Sequence, residues 1–505
     1  MKMRVLASLL AVVLFLWARS AQAATLSVGP GQQYAAIMDA WNAVQPGDTI
    51  EVQGGQTYAG TFLLDAGHSG TAAAPITLKG IPVNGQRPIL QGIGPGQYDT
   101  MVVYLNASYL VMDSFEIIGD GDTTTDDCLV HGADQVTLRD LVVHGCLHQA
   151  GLVGDDTGSG SLTLEYSEFY ANGDGEYSHQ IYMTTDQAMY PGATFRMQFN
   201  YIHDGLGGNN VKSRAERNEI DYNWIEGAYY HELDLVGPDT GSSPRRCDSD
   251  VVGNVFRKTS SWRVARIGGD GSGDSMGRFR FVNNTMILDS LMSSTITLQA
   301  TVSTLEMYNN VILAPTAGIA VYDITEGSGP AAVLYGSNNW ISTGMTGIPT
   351  PWTGTIAGAD PGFDAPASYD YRLAASSPLV GAGTTDTAAT GSLAFVDPLL
   401  LPAFNPPERR LIPVGSAEAR TFDGKPAIGA FEASDTAPGT PPPGVGGAPA
   451  VMTGNGGSSG DGAGGSGSTG SSNGCTCRVT EEPTGGTEWV AGLAAVGLAL
   501  ARRRR

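Results

Sequence analysis

The chain has 505 residues and a formal net charge of −22, from 28 Lys and Arg against 50 Asp and Glu. A negative charge of this size argues against nucleic acid as a partner. The length would accommodate several domains, but one repeat pattern runs through the middle of the chain, and repeat proteins grow without a second core. We therefore expect one large domain.

The first 23 residues have the pattern of a secretory signal peptide. Lys2 and Arg4 precede an apolar run from Val5 to Trp17, and Ala21-Gln22-Ala23 matches a small-x-small cleavage site. We expect cleavage after Ala23 and export of the mature chain. Further on, the segment from Tyr34 to Val44 has apolar residues at helical spacing, which predicts a short helix that caps the N-terminal end of the domain.

Nine segments share one pattern, in which a small polar residue, most often Asn, is followed two places later by an apolar residue. Successive polar positions lie between 23 and 33 residues apart. The polar positions are Asp113, Asp140, Ser167, Asn200, Asn223, Asn254, Asn284, Asn310 and Asn339, and the apolar partners are Phe115, Val142, Phe169, Ile202, Ile225, Phe256, Met286, Ile312 and Ile341. A unit of this size cannot bury its own apolar face, so the repeat predicts a solenoid.

Each repeat consists of short alternating segments separated by Gly, Asn and Asp, as in LTLEYSEFY at 162–170, which is typical of strands. Wound into a parallel β-helix, such units place equivalent side chains about 4.8 Å apart, so that Asn amides can hydrogen-bond along the stack. A sandwich or propeller would need two-residue hairpins or blades of about 40–50 residues, which the spacing does not provide. The expected fold is all-β, with a single parallel β-helix from residue 24 to 433.

The composition changes after residue 433. Residues 434–474 are mostly Gly, Ser and Pro, which predicts a flexible linker. Cys475-Thr476-Cys477, an apolar stretch from Trp489 to Ala501 and four terminal Arg residues follow, and the stretch is shorter than the roughly 20 residues that span a bilayer. This order of parts resembles the MYXO-CTERM sorting signal of bacterial surface proteins, which implies retention at the cell surface through the tail. The alternative is a low-complexity tail with a chance Arg run.

Three cysteines lie inside the predicted domain. Cys128 and Cys146 are less than one repeat apart, so they could meet across a turn, which would leave Cys247 unpaired. Buried free thiols are an equal alternative, so the pairing stays open.

Positive charge is concentrated in one part of the chain. Twelve of the 28 Lys and Arg fall between Arg196 and Arg280, and stacking of the coils should concentrate them further. In VKSR at 211–214, strand alternation puts Val211 inside and Lys212 and Arg214 outside.

The neighbouring coils extend this outer face. Stacking predicts one surface formed by Tyr182, Lys212, Arg214, Glu232 and Asp234, with His179, His203 and His231 near its edges. Arg266 follows Asn254 by the same number of residues as Lys212 follows Asn200. It should therefore lie two coils further along the stack, about 10 Å from Lys212.

Several segments resemble a known group of proteins. GTAAAPITLKG at 70–80, NNVKSRAERNEIDYNWI at 209–225 and the repeat itself resemble the right-handed parallel β-helix superfamily of pectate, alginate and chondroitin lyases. ADPGF at 359–363, DYRLAASSPLVGAG at 370–383 and AIGAFE at 427–432 resemble the terminal module of many bacterial β-helix proteins. The resemblance implies a right-handed helix and a lyase that cleaves an acidic polysaccharide by β-elimination.

The resemblance also implies roles for individual residues. Lys212 would remove the proton next to a uronate carboxylate, because clustered cations favour a neutral lysine. Arg214 would hold that carboxylate and Arg266 a neighbouring one. The remaining roles are leaving-group protonation by His203 or Tyr182, further substrate binding by His179 and His231, and Ca²⁺ coordination by Glu232 and Asp234. No dense Asp cluster of the pectate-lyase type is present in the sequence, so the alternative is a protein without a cofactor.

The same residues allow other interpretations. Lys212 and Arg214 beside Glu232 and Asp234 could form a cross-strand ladder of salt bridges on a solvated face, and the histidines could cap turns. Asp126-Asp127 is a weak match to the paired carboxylates of a glycosidase, because neighbouring strand residues face opposite sides. Three functions therefore stay open: a surface-held polysaccharide lyase, a non-catalytic protein that binds polysaccharide or the cell envelope, and a glycoside hydrolase. We expect a monomer.

Overall fold

The computed structural model describes residues 23–93, 101–120, 127–238, 245–299, 301–325, 332–387 and 401–433. Residues 1–22 of the predicted signal peptide, the predicted linker and tail from residue 434, and Asp126 lie outside the described residues. Within the described ranges, every helix is too short to cross a bilayer.

The described chain forms a parallel β-helix, which confirms the fold expected from the repeat. A complete coil contributes one strand to each of three parallel sheets, which we call sheets 1, 2 and 3 in chain order. Sheet 1 consists of Thr25–Val28, Thr49–Gln53, Ile76–Ile81, Leu110–Asp113, Val136–Arg139, Leu162–Glu165, Thr194–Gln198, Arg217–Asp221, Asp248–Val252, Arg278–Val282, Thr304–Tyr308 and Val333–Ser337.

Sheet 2 consists of Thr57–Ala59, Ile89–Gln91, Glu116–Ile118, Val142–His144, Glu168–Tyr170, Tyr201–His203, Trp224–Glu226, Val255–Lys258, Thr285–Leu288, Val311–Leu313, Trp340–Ser342 and Ile356–Gly358. Sheet 3 consists of Phe62–Leu64, Met101–Leu105, Asp127–His131, Ala150–Gly154, His179–Thr184, Val211–Arg214, Leu233–Val236, Ala265–Gly268, Ser294–Gln299 and Ala320–Thr325. A short antiparallel pair, Phe363–Ala365 with Asp370–Leu373, follows the last coil. Single 3₁₀ turns occur at Ala66–His68 and Pro366–Ser368.

Stacks of apolar side chains fill the interior of the helix. In sheet 3, Ile181, Val211, Leu233, Ala265 and Ile296 are register partners on successive coils, and all are buried. A buried aliphatic side chain contributes about 1.5–3 kcal/mol, so each rung holds its register. Because a one-residue slip would exchange the two faces of a strand, this register also determines which side chains point outward.

The predicted Asn ladder is present from Ser167 to Asn339. The Oδ1 atom of Asn254 accepts hydrogen bonds from the main-chain nitrogen of Asn223 at 2.8 Å and from its side-chain amide at 3.0 Å. The same double contact joins Asn200 to Asn223, Asn254 to Asn284, Asn284 to Asn310 and Asn310 to Asn339. Every ladder amide is fully buried. The ladder thus satisfies polar groups at the corner between sheets 1 and 2, where the chain bends.

The prediction is wrong for the two coils that precede Ser167. Strand pairing aligns Glu168 with Val142 and Glu116, which places Leu141 and Phe115 in the ladder position. Both side chains belong to the apolar core, so this corner is filled by packing instead of amides. Asp140 lies one residue earlier and Asp113 two residues earlier than the ladder position. In the coil of Asp140, the buried apolar residue that follows the corner is accordingly Val143 and not Val142.

The short N-terminal helix α1, Ile37–Trp41, forms where the apolar spacing predicts it. Ile37, Ala40 and Trp41 are buried against the first strands of sheets 1 and 3. The indole nitrogen of Trp41 donates to Asp65 at 3.3 Å. The helix therefore covers the open end of the stack.

The C-terminal segment covers much of the outer face of sheet 2. Its Phe363, Tyr371 and Phe431 pack in one apolar cluster with Trp224 and Trp340 of that sheet. The rings of Trp224 and Tyr371 are stacked with centroids 5.5 Å apart. This half of sheet 2 is therefore occupied by the protein itself.

The structure settles the open cysteine question. Cys128 and Cys146 form a disulfide, and Cys247 is a buried free thiol. Burial raises the pKa of Cys247 to about 12, so this residue stays a thiol.

Candidate functional site

The outer face of sheet 3 carries a column of four polar side chains. Tyr182, Lys212, Asp234 and Arg266 are register partners on four successive coils. Arg266 therefore lies two rungs from Lys212, about 10 Å along the stack, as the Asn spacing predicts. Arg214 lies beside this column, in register with Thr184 of the preceding coil.

Asp270 joins the cations of this face. It follows the strand that carries Arg266, and its Oδ2 atom lies 2.8 Å from the Lys212 Nζ atom and 2.6 Å from an Arg214 Nη atom. Burial by itself would raise the pKa of Asp270, but the charges of Lys212 and Arg214 outweigh it and hold the pKa well below its ordinary value. Asp270 is therefore an anion that neutralises the predicted base in this conformation.

Asp234 forms the second carboxylate contact. Its two oxygens accept the Nε and Nη2 hydrogens of Arg266, both at 2.7 Å, in the bidentate geometry that strengthens such pairs. Asn209 donates a further hydrogen bond to Asp234 at 3.1 Å. Burial would raise the pKa of Asp234, but Arg266 and the nearby charge of Lys212 hold it below its usual value.

The side chain of Arg214 is 3% exposed, and its guanidinium is hydrogen-bonded within the protein. It donates to the Tyr182 hydroxyl at 3.0 Å, to the Gly237 carbonyl at 2.6 Å, and to Ser272 and Asp270. Lys212, with 13% of its side chain exposed, and Arg266, with 29%, are more accessible. Solvent therefore reaches Tyr182, Lys212 and Arg266 more easily than Arg214.

His179 and His231 form the buried edge of the site. The main-chain nitrogen of Asn209 donates to the Nδ1 atom of His179 at 2.9 Å, and the Asn209 side chain accepts from the His231 main chain at 3.0 Å. Burial lowers the pKa of His179 to about 3, and the charge of Lys212 acts in the same direction. Burial also lowers the pKa of His231 to about 3. Both imidazoles are therefore neutral at pH 7.

Two predicted site residues do not lie on this face. Glu232 is fully buried and accepts hydrogen bonds from Lys258 at 3.3 Å and Asn210, because it precedes the strand and occupies the corner before the alternation begins. His203 lies in sheet 2, where it contacts Glu168 at 3.2 Å and Asp204 at 2.8 Å. The expected placement of Glu232 beside Asp234, and of His203 at the edge of the Lys212 surface, is therefore wrong.

The expected concentration of positive charge is also wrong. Arg217, Arg278 and Arg280 lie in sheet 1 and pair with Asp250 and Glu306 on that face. Charge that is clustered along the sequence is thus divided among three faces and largely neutralised. The cations of the sheet 3 column account for only a small part of it.

The two predicted calcium ligands do not share a site. Asp234 accepts from Arg266 and Asn209, whereas Glu232 accepts from Lys258 and Asn210 in a separate corner. Over the described ranges, no group of three or more His, Cys, Asp or Glu side chains is placed to hold a metal ion. Calcium dependence stays a prediction.

Sequence reasoning missed Asp270 and Asn209. Asp270 belongs to the segment GGDGSG at 268–273, whose composition is that of an ordinary turn. The sequence feature that could have indicated Asp270 is that it is the first acidic residue after the strand that carries Arg266. Asn209 precedes the strand Val211–Arg214, where the alternation rule does not assign a direction.

No family model matches this sequence, and no curated protein matches it. Among solved structures, the chain is similar to pectate lyase Pel9A, with a TM-score of 0.51, 15% sequence identity, and coverage of 82% of this chain and 97% of that chain. It is also similar to XylC, solved in complex with xylose, with a TM-score of 0.44, 9% identity, and coverage of 67% and 87%. A polysaccharide lyase of family PL6 from Pseudopedobacter saltans gives a TM-score of 0.35, 14% identity, and coverage of 64% and 89%. At 15% identity, the similarity to pectate lyase Pel9A supports the fold alone.

Proposed function

We propose that the protein is an exported lyase that cleaves an acidic polysaccharide by β-elimination, with Lys212 as the base. The observation that carries this proposal is the column of Tyr182, Lys212 and Arg266 on one solvent-facing side of sheet 3. With Arg214, Asp234 and Asp270, the cluster has three cations and two carboxylates. It is therefore a locally positive site in a protein whose net charge is −22, and a polyanion is the ligand that such a site attracts.

The proposed reaction uses three of these residues. The neutral amine of Lys212 takes the proton from the carbon next to a uronate carboxylate, and the electron pair forms a double bond as the glycosidic C–O bond breaks. Tyr182 protonates the departing oxygen. Arg266 binds the carboxylate next to the reacting carbon and stabilises the negative charge that develops there.

Two side chains take positioning roles in this proposal. Arg214 contacts Tyr182 and Asp270 instead of facing solvent, so it orients the proton donor. Lys212 donates to Asp270 as an ammonium, so it must release one proton to solvent before its neutral amine can act as the base.

Incubation of the purified protein with alginate, pectate and chondroitin tests the proposal. Elimination alone creates an unsaturated uronate, which is detected by its ultraviolet absorbance. Product formation that disappears in Lys212→Ala supports the proposal. Reducing sugar that forms without the unsaturated product would instead indicate a glycoside hydrolase.

A second candidate function is polysaccharide binding without cleavage. It is favoured by the ion pairs of Lys212 with Asp270 and of Arg266 with Asp234, because a binding surface needs no neutral lysine. Binding of a polymer without any product over prolonged incubation would support this candidate.

Export and retention at the cell surface are part of the proposal. The predicted signal peptide and the tail that resembles MYXO-CTERM motivate it. The disulfide between Cys128 and Cys146 supports export, because disulfides persist mainly in oxidising compartments. Cell fractionation with and without the last 31 residues, 475–505, tests the anchoring role of the tail.

A further inference from the structure

Three aromatic side chains form an exposed cluster at the edge where the strands of sheet 3 begin. Tyr229 and Trp262 are 45% and 37% exposed. The ring of Tyr230 lies between them, 4.9 Å from Tyr229 and 4.7 Å from Trp262 between centroids. We call Tyr229, Tyr230 and Trp262 the aromatic rim.

The aromatic rim is held in place by its neighbours. The Tyr230 hydroxyl bonds to Glu176, and burial is the main cause that raises the pKa of Tyr230. The ring of His231 meets Trp262 edge to face at 5.7 Å and 81°, and the Tyr230 main chain donates to Gly208 at 2.7 Å. The rings are therefore ordered before any ligand binds, which lowers the entropy cost of binding.

The aromatic rim lies on the two coils that carry Asp234 and Arg266. These two residues belong to the sheet 3 column of Tyr182, Lys212, Asp234 and Arg266, which we call the cationic column. Tyr230 precedes Asp234 by four residues and Trp262 precedes Arg266 by four residues, and the two strands are paired in that register. Each four-residue segment includes bends before its strand begins, and four residues span at most about 13 Å even when fully extended. One ligand that lies along these strands can therefore contact both Trp262 and Arg266.

We propose that the aromatic rim is a stacking site for a pyranose ring of the polysaccharide that the cationic column binds. This inference rests on the proposed function for the identity of the polymer. Sugar rings have apolar faces and polar edges, and the rim offers aromatic faces beside the polar groups of Glu176 and His231. The ring stacks on Trp262 while the carboxylate of another unit of the same polymer reaches Arg266.

Charge argues against two other occupants of the rim. A second copy of the chain or an anionic membrane would present a broad surface to the whole protein, whose net charge is −22, and not to the three local cations alone. The rim also contains polar tips, unlike the larger apolar patches that mark stable protein interfaces. The polysaccharide is therefore the ligand that fits both the rim and the adjacent cations.

Tryptophan fluorescence provides a direct test, because Trp262 is distinct from the other described tryptophans. Trp41, Trp224 and Trp340 are fully buried, and Trp352 is 9% exposed. We expect titration of the full chain with pectate or alginate to change the fluorescence and to protect Trp262 from acrylamide quenching. Trp262→Phe should lose this response, and Trp262→Ala should weaken binding by about five- to tenfold. Met189→Ala, which alters an exposed apolar side chain outside the rim, should leave binding unchanged.

The outcomes separate this inference from the lyase proposal. Protection of Trp262 without unsaturated product, in the wild type, would support the rim and refute the lyase. Cleavage with an unchanged KM in Trp262→Ala would overturn the rim and leave the lyase intact. Self-association that depends on Trp262, measured by sedimentation, together with unchanged polymer binding, would assign the rim to a protein interface and would also overturn the inference.

Discussion

Replacement of Asp270 by Asn should strengthen the binding of an acidic polymer. Asp270 lies 2.8 Å from Lys212 and 2.6 Å from Arg214, so it is a fixed negative charge beside the cations of the proposed site. Two carboxylates held about 6–8 Å apart, at an effective dielectric constant of roughly 20–40, repel each other by about 1–3 kcal/mol. Removal of this repulsion corresponds to about a five- to hundredfold gain in affinity.

The same substitution should lower the stability of the fold. The amide that replaces the Asp270 carboxylate would still offer one oxygen to Lys212 or Arg214, but the buried guanidinium of Arg214 would lose its counter-ion. A lost charged hydrogen bond of this kind costs about 1–3 kcal/mol. Urea unfolding of Asp270→Asn should therefore show a lower free energy of unfolding, although the folded protein binds more tightly.

Equilibrium binding to pectate or alginate, in low salt and in high salt, is the assay for this prediction. At about 1 M salt the Debye length is about 3 Å, so most of the gain in affinity should disappear. Asp274→Asn is the matched control, because it removes one negative charge from the same loop, and its main-chain carbonyl bond to Arg245 does not depend on the side chain. Equal affinities of Asp270→Asn, Asp274→Asn and the wild type at low salt would refute the reasoning.

Three further predictions concern the base, the ladder and the buried histidines. Lys212→Ala should abolish unsaturated product and lower the free energy of unfolding by about 1–3 kcal/mol, because it removes a charged hydrogen bond from the largely buried Asp270, and Lys212→Arg should not restore activity because a guanidinium stays protonated. Asn254→Ala should lower the free energy of unfolding by about 2–5 kcal/mol, because the buried main-chain nitrogen of Asn223 loses its acceptor, and the Asn223 side chain and the Ile220 carbonyl each lose one hydrogen bond. The pKa of His231 is about 3 in the folded state because of burial, so only the unfolded chain binds its proton between about pH 6.5 and 3. Stability should therefore fall with falling pH by up to about 1.4 kcal/mol per unit from this residue, and His231→Gln should remove that slope.

Each of these predictions has a control on another part of the fold. Lys79→Ala changes a lysine of sheet 1 and should keep full activity, and loss of activity in both lysine variants would make the effect of Lys212 nonspecific. Asn42→Ala alters an exposed asparagine and should leave the unfolding midpoint nearly unchanged. A cost below about 1 kcal/mol for Asn254→Ala would contradict the ladder energetics. The partly exposed His68 is the control for the pH slope, and an unchanged slope in His231→Gln would contradict the effect of burial.

The fold could be predicted because one physical pattern repeats in the coils from Ser167 to Asn339. The amides of Asn223, Asn254 and Asn284 bond to their neighbours along the stack as the spacing implies. The pattern fails at Asp113 and Asp140, because Phe115 and Leu141 fill the corner by apolar packing and leave no polar ladder position to detect. In these two coils, Asp113 and Asp140 lie near the turn by chance and do not belong to the ladder.

Placement of the site residues could be predicted only inside the strands. Alternation assigns Lys212 to the outer face because Val211 and Ser213 are buried on either side of it. The same rule misplaces Glu232, which precedes the first residue of its strand, and it says nothing about Asp270, which follows the last. The partners of the cations come from turns, and turn conformation depends on contacts between coils that are not adjacent in sequence.

The ladder and the outer face meet different physical requirements, and this explains how stability and chemistry are separated in the chain. Asn254 is buried and hydrogen-bonds to the coils on both sides, so its loss should affect stability without altering which side chains share a face. Lys212 is partly exposed, so its loss should affect chemistry without altering the stack. Asp270 combines both requirements, because it neutralises the buried Arg214 and also contacts Lys212 of the proposed site. A residue of this kind should be the one whose neutralisation changes stability and affinity in opposite directions.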